Sequence, residues 1–164
     1  MTDLDLDLAR YQDPLTIQRV LNGAKTIAIV GLSANELRAS YFVGYYLQRH
    51  GYHVIPVNPR ETTILGEKSY PSLRDVPEPI DIVNVFRAPD AVPGIATEAV
   101  AVGAKSMWCQ FGVVSEEGAR IADEGGLTVV MDRCLKVEHA RYVGRMHWLG
   151  FNTQRITSVR AGLQ

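Results

Sequence analysis

The sequence predicts an α/β protein with a Rossmann-like, doubly wound parallel sheet of five strands in the order 3-2-1-4-5 and an extra N-terminal helix. Two observations predict this fold. Short runs of β-branched and other apolar residues recur along the chain, and segments of helical length separate them. Strands and helices that alternate in this way are joined by right-handed crossovers, which place the strands parallel and the helices on both faces of the sheet.

The five apolar runs are predicted to be the strands, over 26–30, 54–57, 80–86, 105–109 and 127–131. Several are hydrophobic at nearly every position, as expected of strands that a parallel sheet buries on both faces. The segment 59–79 is rich in proline and lacks helical periodicity, so we expect an irregular connection between the second and third strands. A single helical turn is predicted within it, at 72–75.

Helices are predicted in the intervening segments, over 41–50, 90–102 and 115–124. Each of these three ends just before a glycine, which is a common helix stop, and Ser115 is a typical N-cap residue. A further helix over about 14–22 is predicted to follow Asp13 and Pro14, because proline suits the first position of a helix.

Composition favours one globular domain over 1–164, with a core over about 25–146. The chain has 164 residues, of which 46% are hydrophobic and 21% charged, and a formal net charge of −1. A near-neutral charge argues against a nucleic-acid partner. The uncharged runs are too short for a membrane-spanning helix. Two cysteines and the absence of a secretory leader pattern predict a cytoplasmic protein, with any protein partner left open.

In an open parallel sheet, ligands bind at the carboxyl ends of the strands, so the residues that follow each strand are the candidates. After the first strand, Gly31 permits a tight turn, Arg38 can contact a phosphate, and Ser40 opens a helix whose first amides favour an anion. The loop lacks the GxGxxG dinucleotide pattern. The alternative is an ordinary strand-to-helix loop with Ser40 as its cap.

The second strand ends in Val57, Asn58, Pro59 and Arg60. An NAD site usually carries Asp or Glu here for the ribose hydroxyls. Arg60 stands instead where it can meet a phosphate on the adenosine ribose, which disfavours NAD and permits NADP or coenzyme A. A solvent-facing arginine is an equally good interpretation of the residue type alone.

The third and fourth strands end in aromatic and amide residues. Phe86 and Phe111 are candidates to contact an adenine or an acyl-carrying arm, although buried aromatic rings usually belong to the core. Gln110 offers a donor and an acceptor at the ligand edge, or caps a loop. Gly112 permits close approach of a ligand to the backbone.

No catalytic or metal-binding constellation is predicted. Cys134 opens the last helix, where a thiol pKa can be depressed. His139 follows five residues later, about 140° around a helix, so we expect the two side chains to point apart. The four histidines show no metal-ligand spacing. A mixed disulfide between a ligand thiol and Cys109 or Cys134 is a further alternative.

Several motifs at these strand ends resemble those of the small bacterial CoA-binding proteins, the YccU-like group. That group is similar to the N-terminal domain of the succinyl-CoA synthetase α subunit. The matching stretches run over most of the chain: 29–33 (IVGLS), 40–41 (SY), 52–60 (YHVIPVNPR), 65–73 (LGEKSYPSL), 85–87 (VFR), 110–113 (QFGV) and 130–139 (VMDRCLKVEH).

The resemblance implies a domain that binds coenzyme A or an acyl-CoA across the strand ends. The resemblance implies that the loop from Gly31 to Tyr41 binds the pyrophosphate and that residues 57–60 lie near the adenosine. It also implies that residues 86–87 and 110–113 line the path of the pantetheine arm. The implied binding residues are Gly31, Leu32, Ser33, Arg38, Ser40, Tyr41, Val57, Asn58, Pro59, Arg60, Phe86, Arg87, Gln110, Gly112 and Val113.

The synthetase subunit carries its phosphohistidine in a second domain, for which 164 residues leave no room. We therefore expect a non-catalytic CoA-binding protein. The alternative is an NADP-linked oxidoreductase or a regulatory protein that responds to redox state or CoA.

Overall fold

A five-stranded parallel β-sheet forms the centre of the structure, a computed structural model that describes residues 7–144. The strands in chain order are β1 (Thr26–Val30), β2 (His53–Val57), β3 (Thr63–Ile64), β4 (Glu67–Lys68), β5 (Ile82–Val85), β6 (Ser106–Cys109) and β7 (Thr128–Val130). The short strands β3 and β4 pair antiparallel with each other, apart from the main sheet. The predicted Rossmann-like fold class is confirmed.

The order of the main sheet is β2-β1-β5-β6-β7. Counted over the five long strands, this is 2-1-3-4-5, whereas the predicted 3-2-1-4-5 put the third strand outside the second. That detail of the prediction is wrong, because β5 pairs with β1 directly. β5 pairs with β1 on one side and with β6 on the other, which places it at the centre of the sheet.

The irregular connection covers the outer edge of β2, where the predicted order had placed the third strand. Tyr70 forms a parallel bridge with Val57 at that edge, and the Tyr70 amide donates to the Pro56 carbonyl at 3.0 Å. The predicted helical turn at 72–75 is present as a 3-10 turn, Leu73–Asp75. The proline-rich segment therefore protects an edge strand that would otherwise expose unpaired backbone groups.

Within residues 7–144, five α-helices flank the sheet: α1 (Pro14–Gly23), α2 (Ala39–Arg49), α3 (Val92–Ala101), α4 (Glu116–Glu124) and α5 (Leu135–His139). The predicted N-terminal helix is α1, and its N-cap Asp13 accepts a hydrogen bond from the Thr16 amide at 3.0 Å. Ser115 caps α4 in the same way, through the Gly118 amide at 3.0 Å. A π-helical turn over Ala140–Gly144 continues α5.

The core has two layers, one on each face of the sheet. Residues of α3 and α4 pack on one face, and residues of α1, α2 and α5 pack on the other. Among residues 7–144, none of the helices has the length and apolarity that crossing a membrane requires. The predicted single domain over 1–164 stays a prediction, and the basic tail over 148–164 lies outside the described residues.

Candidate functional site

Three open clefts meet at the carboxyl ends of the strands, and Gly31 lines all three. The β2 cleft, of about 430 Å³, lies between Asn58, Arg60, Ser72 and Glu98. The α2 cleft, of about 450 Å³, lies between Ser33, Arg38 and Ser40. The β6 cleft, of about 600 Å³, lies between Phe86, Arg87, Gln110, Phe111 and Val113. The predicted ligand edge is thus a continuous concave surface around one glycine.

Gly31 makes the turn at the end of β1 and has a φ of +92°, which favours glycine. Its amide donates to the Val57 carbonyl at 2.9 Å, so the turn is fastened to the end of β2. A β carbon at Gly31 would collide with the carbonyl oxygen of Phe86 on the other side. Only a residue without a side chain fits between the two neighbouring strands.

The start of α2 offers backbone amides to the α2 cleft. Arg38 is the N-cap residue, and among the described residues no side chain caps these amides. The hydroxyl of Ser40 is buried and accepts a hydrogen bond from the Ser33 amide at 3.0 Å, which folds the loop over the helix start. Uncapped amides together with the helix dipole favour a negatively charged group at this position.

Arginine side chains give the clefts their charge. Arg38 lines the α2 and β6 clefts, Arg60 the β2 cleft, and Arg87 the β2 and β6 clefts. Within residues 7–144, none of the three forms an ion pair with a carboxylate. Arginine prefers paired, bidentate contacts with phosphate or carboxylate groups. Three exposed and uncompensated guanidinium groups around one concave edge suit a ligand with several phosphates.

Asn58 joins the loops that follow β1 and β2. Its side-chain amide nitrogen donates to the Leu32 carbonyl at 2.9 Å, and its side-chain oxygen accepts from the Arg60 amide at 2.8 Å. Both hydrogen-bonding ends of Asn58 are therefore used within the protein. Asn58 orders the wall of the β2 cleft and the backbone under Arg60.

A tight turn over residues 110–113 forms one wall of the β6 cleft. The Val113 amide donates to the Gln110 carbonyl at 2.8 Å. Gln110 is only 9% exposed, and its side-chain oxygen has no hydrogen-bond partner within the described structure. A buried amide end without a partner is costly, so a polar group of a ligand at this wall would be stabilising.

Three of the predicted site residues contribute differently from the rest. Leu32 is fully buried in the core, so only its backbone is left to contact a ligand. Tyr41 packs against the core layer that contains Leu32. Gly112 does not line any of the three clefts but shapes the turn at 110–113, with a φ of +87°. The other predicted residues line at least one cleft: Gly31, Ser33, Arg38, Ser40, Val57, Asn58, Pro59, Arg60, Phe86, Arg87, Gln110 and Val113.

Sequence reasoning missed two polar residues of the β2 cleft, Ser72 and Glu98. Ser72 lies in the irregular segment after β4, and Glu98 lies in the middle of α3. Neither follows a strand directly, so the strand-end rule does not select them. A charged residue in the mid-region of an otherwise apolar helix was the one available signal for Glu98.

The candidate reactive side chains lie elsewhere. Cys109 is fully buried, and burial raises the pKa of its thiol to about 12. His139 is buried against α2, where its Nδ1 lies 2.9 Å from the Tyr46 hydroxyl. Burial, with a smaller effect of nearby His50, lowers the pKa of His139 to about 4. Neither group lines any of the three clefts.

Residues 25–140 match one protein family, the CoA binding domain. This chain belongs to that family. It is 45% identical over 124 residues to YneT of Bacillus subtilis, covering 76% of this chain and 92% of YneT. A solved structure, the hypothetical protein from Pyrococcus horikoshii OT3, is 38% identical with a TM-score of 0.79 over 82% of this chain and 95% of that one.

The family also links the chain to larger enzymes. The chain is 29% identical over 101 residues to the Archaeoglobus fulgidus acetate–CoA ligase (ADP-forming) II, which covers 60% of this chain but only 15% of the ligase. The likeness therefore extends to one unit of the ligase. The reaction that the ligase catalyses is a property of the whole ligase, of which this chain matches only a small part.

Coenzyme A is the ligand of the family to which this domain belongs, and the chemistry of the strand-end residues is compatible with it. The ligand carries a pyrophosphate and a ribose phosphate, and the clefts carry three arginines that form no ion pair within residues 7–144. Its pantetheine arm carries amide groups, and the side-chain oxygen of Gln110 has no hydrogen-bond partner among the described residues. The predicted family and cofactor are confirmed.

Proposed function

We propose that this domain holds coenzyme A or an acyl-CoA across the carboxyl ends of its strands and catalyses no reaction on it. The observation that carries the proposal is the convergence of Arg38, Arg60 and Arg87 on clefts that share Gly31. Charge-assisted hydrogen bonds from arginine to phosphate are among the strongest polar contacts available to a binding protein. A reducing, cytoplasmic location is part of the proposal, and the two unpaired cysteines support it.

Each part of the ligand has a cleft of matching chemistry. The pyrophosphate would take the α2 cleft, where uncapped amides and Arg38 meet. The adenosine would take the β2 cleft, between the apolar walls of Pro59, Pro71 and Ile95, with its 3′-phosphate on Arg60. The pantetheine arm would then run along the β6 cleft.

The chemistry of the cleft side chains supports binding without catalysis. Among the described residues, the charged side chains that line the clefts are Arg38, Arg60, Arg87 and Glu98, and the three guanidinium groups serve as hydrogen-bond donors. The buried thiol of Cys109 stays protonated and is a poor nucleophile. His139 is held against Tyr46 in the contact between α2 and α5, away from the clefts.

Titration calorimetry with coenzyme A, NADP and NAD tests the choice of ligand site. We expect coenzyme A to bind more tightly than NAD, because the β2 strand end offers an arginine where an NAD site places a carboxylate. We also expect it to bind more tightly than NADP, which lacks the pantetheine arm that the β6 cleft suits. Tighter binding of NADP or NAD than of coenzyme A would support the oxidoreductase alternative and overturn the proposal.

A second assay tests the absence of catalysis. Acetyl-CoA is incubated with the protein, and free thiol is followed with a chromogenic disulfide reagent. We expect the rate of thiol release to equal that of the buffer control. A rate that rises in proportion to protein concentration, and that persists after repurification, would show that the domain is a thioesterase or transferase.

A further inference from the structure

Asp132 follows β7 in a backbone conformation that is unusual for a residue with a side chain. Its φ is +61°, in the left-handed region, where Leu65 is the other non-glycine residue of the described chain. A β carbon makes this region unfavourable, and residues held there concentrate at ligand-binding sites. Surrounding contacts must therefore fix Asp132, and those contacts show what it supports.

The carboxylate of Asp132 holds the turn at the end of β6. Its Oδ1 accepts a hydrogen bond from the Gly112 amide at 2.7 Å, across a separation of 20 residues. Gly112 has a φ of +87°, which is the conformation of the third residue in a type II turn. Nothing lies within 4 Å of a β carbon at Gly112, so the backbone conformation, and not space, requires glycine there.

The backbone around Asp132 is itself anchored to the body of the sheet. The Arg133 side chain donates to the Asp132 carbonyl and to the Gln12 side-chain oxygen, both at 3.0 Å. The buried Trp108 indole donates to the Arg133 carbonyl at 2.8 Å. These hydrogen bonds hold the backbone at Asp132 in place, and Asp132 in turn connects the sheet to the turn over 110–113.

We propose that Asp132 is a positioning residue for the pantetheine arm, an inference that rests on the proposed placement of the ligand. Asp132 lines none of the three clefts, so it acts through the turn and not by contact with the ligand. Its carboxylate fixes the turn whose residues Gln110, Phe111 and Val113 line the β6 cleft. Without that hydrogen bond the turn gains freedom, and ordering it again opposes binding of the arm.

Two ligands separate this role from a general loss of structure. Coenzyme A carries the arm, whereas adenosine 3′,5′-bisphosphate carries the nucleotide end without it. For Asp132→Ala we expect the Kd of coenzyme A to rise about tenfold, because binding of the arm must then also order the loosened turn. The Kd of the bisphosphate is expected to stay within about twofold of the unmodified protein.

Two further variants isolate the hydrogen bond from the backbone conformation. Asparagine keeps a side-chain oxygen and tolerates the left-handed region, so Asp132→Asn is expected to restore coenzyme A affinity to within about threefold. Asp132→Gly relaxes the backbone but cannot accept from the Gly112 amide, and we expect it to weaken coenzyme A binding as Asp132→Ala does. Melting temperatures without ligand show whether each variant is folded.

The outcomes are distinguishable. Asp132→Ala that leaves coenzyme A affinity unchanged, or that weakens both ligands equally, overturns the positioning role. Full affinity in Asp132→Gly does so too, because the hydrogen bond would then be irrelevant. Failure of the proposed placement has a different signature: Arg60→Ala would leave both Kd values unchanged, whatever the Asp132 variants do.

Discussion

Gly31 lies so close to Phe86 that a β carbon on Gly31 would collide with the Phe86 carbonyl oxygen and stand 3.1 Å from its carbonyl carbon. The two residues follow β1 and β5, which are neighbours at the centre of the sheet. The Phe86 amide donates to the Val30 carbonyl at 2.8 Å, which extends the strand pairing up to the turn. The three clefts therefore meet at a point where two backbones touch without an intervening side chain.

Gly31→Ala is expected to destabilise the fold and to abolish coenzyme A binding. The new methyl group must displace backbone atoms of Phe86, and alanine disfavours the φ of +92°. We expect the free energy of unfolding, measured by denaturant titration, to fall by about 3 kcal/mol or more. Coenzyme A affinity measured on the folded fraction should fall below detection, because all three clefts deform.

Gly51→Ala is the matched control for Gly31→Ala. Gly51 has a φ of +93°, yet nothing lies within 4 Å of a β carbon built on it. This variant carries the backbone strain without the collision, so we expect a loss of about 1–2 kcal/mol and unchanged coenzyme A affinity. Equal losses in the two variants would show that the contact with Phe86 is not what requires glycine at position 31.

Arg60→Ala is expected to weaken coenzyme A binding about tenfold and to change dephospho-CoA binding by less than about twofold. The reason is the proposed contact between Arg60 and the 3′-phosphate, which dephospho-CoA lacks. Titration calorimetry with the two ligands measures the difference. Arg74→Ala removes an exposed arginine outside the clefts and controls for net charge. Equal losses for both ligands would exclude the 3′-phosphate role.

The sequence was sufficient to predict the fold class but not the order of the strands. Apolar runs and glycine stops identify five strands and their helices, and right-handed crossovers make the sheet parallel. The rule of right-handed crossovers allows β5 to pair either with the free edge of β1 or with the free edge of β2. The side is set by the pairing of β5 with β1 and β6 and by Tyr70 covering the edge of β2, which are long-range contacts.

The candidate site shows the same division. Gly31, Arg38, Arg60 and Arg87 line the clefts, and the sequence selects them because a general rule places ligands at strand ends. The left-handed conformation of Asp132 was not, because neighbouring contacts impose it and the residue type does not. Residues that directly follow a strand can be predicted from the local sequence, whereas residues that act through a turn can be identified only from the tertiary structure.

Asp81 directly precedes β5 and stabilises the end of the sheet that lies opposite the clefts. Its carboxylate accepts from the Lys25 and Thr26 amides at 2.8 Å and 3.0 Å, and Lys105 Nζ lies 3.4 Å away. Burial alone would raise the pKa of Asp81, but the two amides and Lys105 outweigh it and hold the pKa below its usual 3.8. The stabilisation is therefore present above about pH 3.8 and is lost as the pH falls through the lower, folded value.

Asp81→Asn is expected to reduce the free energy of unfolding by about 1–2 kcal/mol at pH 7, because the neutral amide accepts these hydrogen bonds less strongly. Denaturant titrations of both proteins at several pH values measure the difference. It should shrink as the pH falls below 3.8 and through the lower, folded value, where the carboxylate of the unmodified protein becomes protonated. A difference that is constant down to pH 2 would contradict the ionic role of Asp81. Asp75→Asn, on an exposed 3-10 turn, is the control.

His139 sits in the contact between α2 and α5, among aromatic rings. Its ring centroid lies 5.4 Å from that of Tyr46, 5.2 Å from that of His50 and 5.5 Å from that of Tyr52. Lys136 Nζ lies 5.3 Å from the centre of the Tyr46 ring. Burial and His50 lower the pKa of His139 to about 4.

His139→Gln is expected to flatten the dependence of stability on pH. Between pH 6.5, the ordinary pKa of the unfolded chain, and about pH 4, the unfolded state binds more protons at this position. The free energy of unfolding must therefore fall as the pH falls through that window, on the order of 2 kcal/mol from this histidine. Glutamine can still bond the Tyr46 hydroxyl but does not titrate, so the variant, less stable at pH 8, should approach the unmodified protein at pH 4.5. His53→Gln, which removes a half-exposed histidine whose Nε2 lies 3.2 Å from a Glu78 carboxylate oxygen, is the control. Parallel curves for His139→Gln and the unmodified protein, in denaturant titrations from pH 8 to 4.5, would mean that His139 is not held neutral by its surroundings.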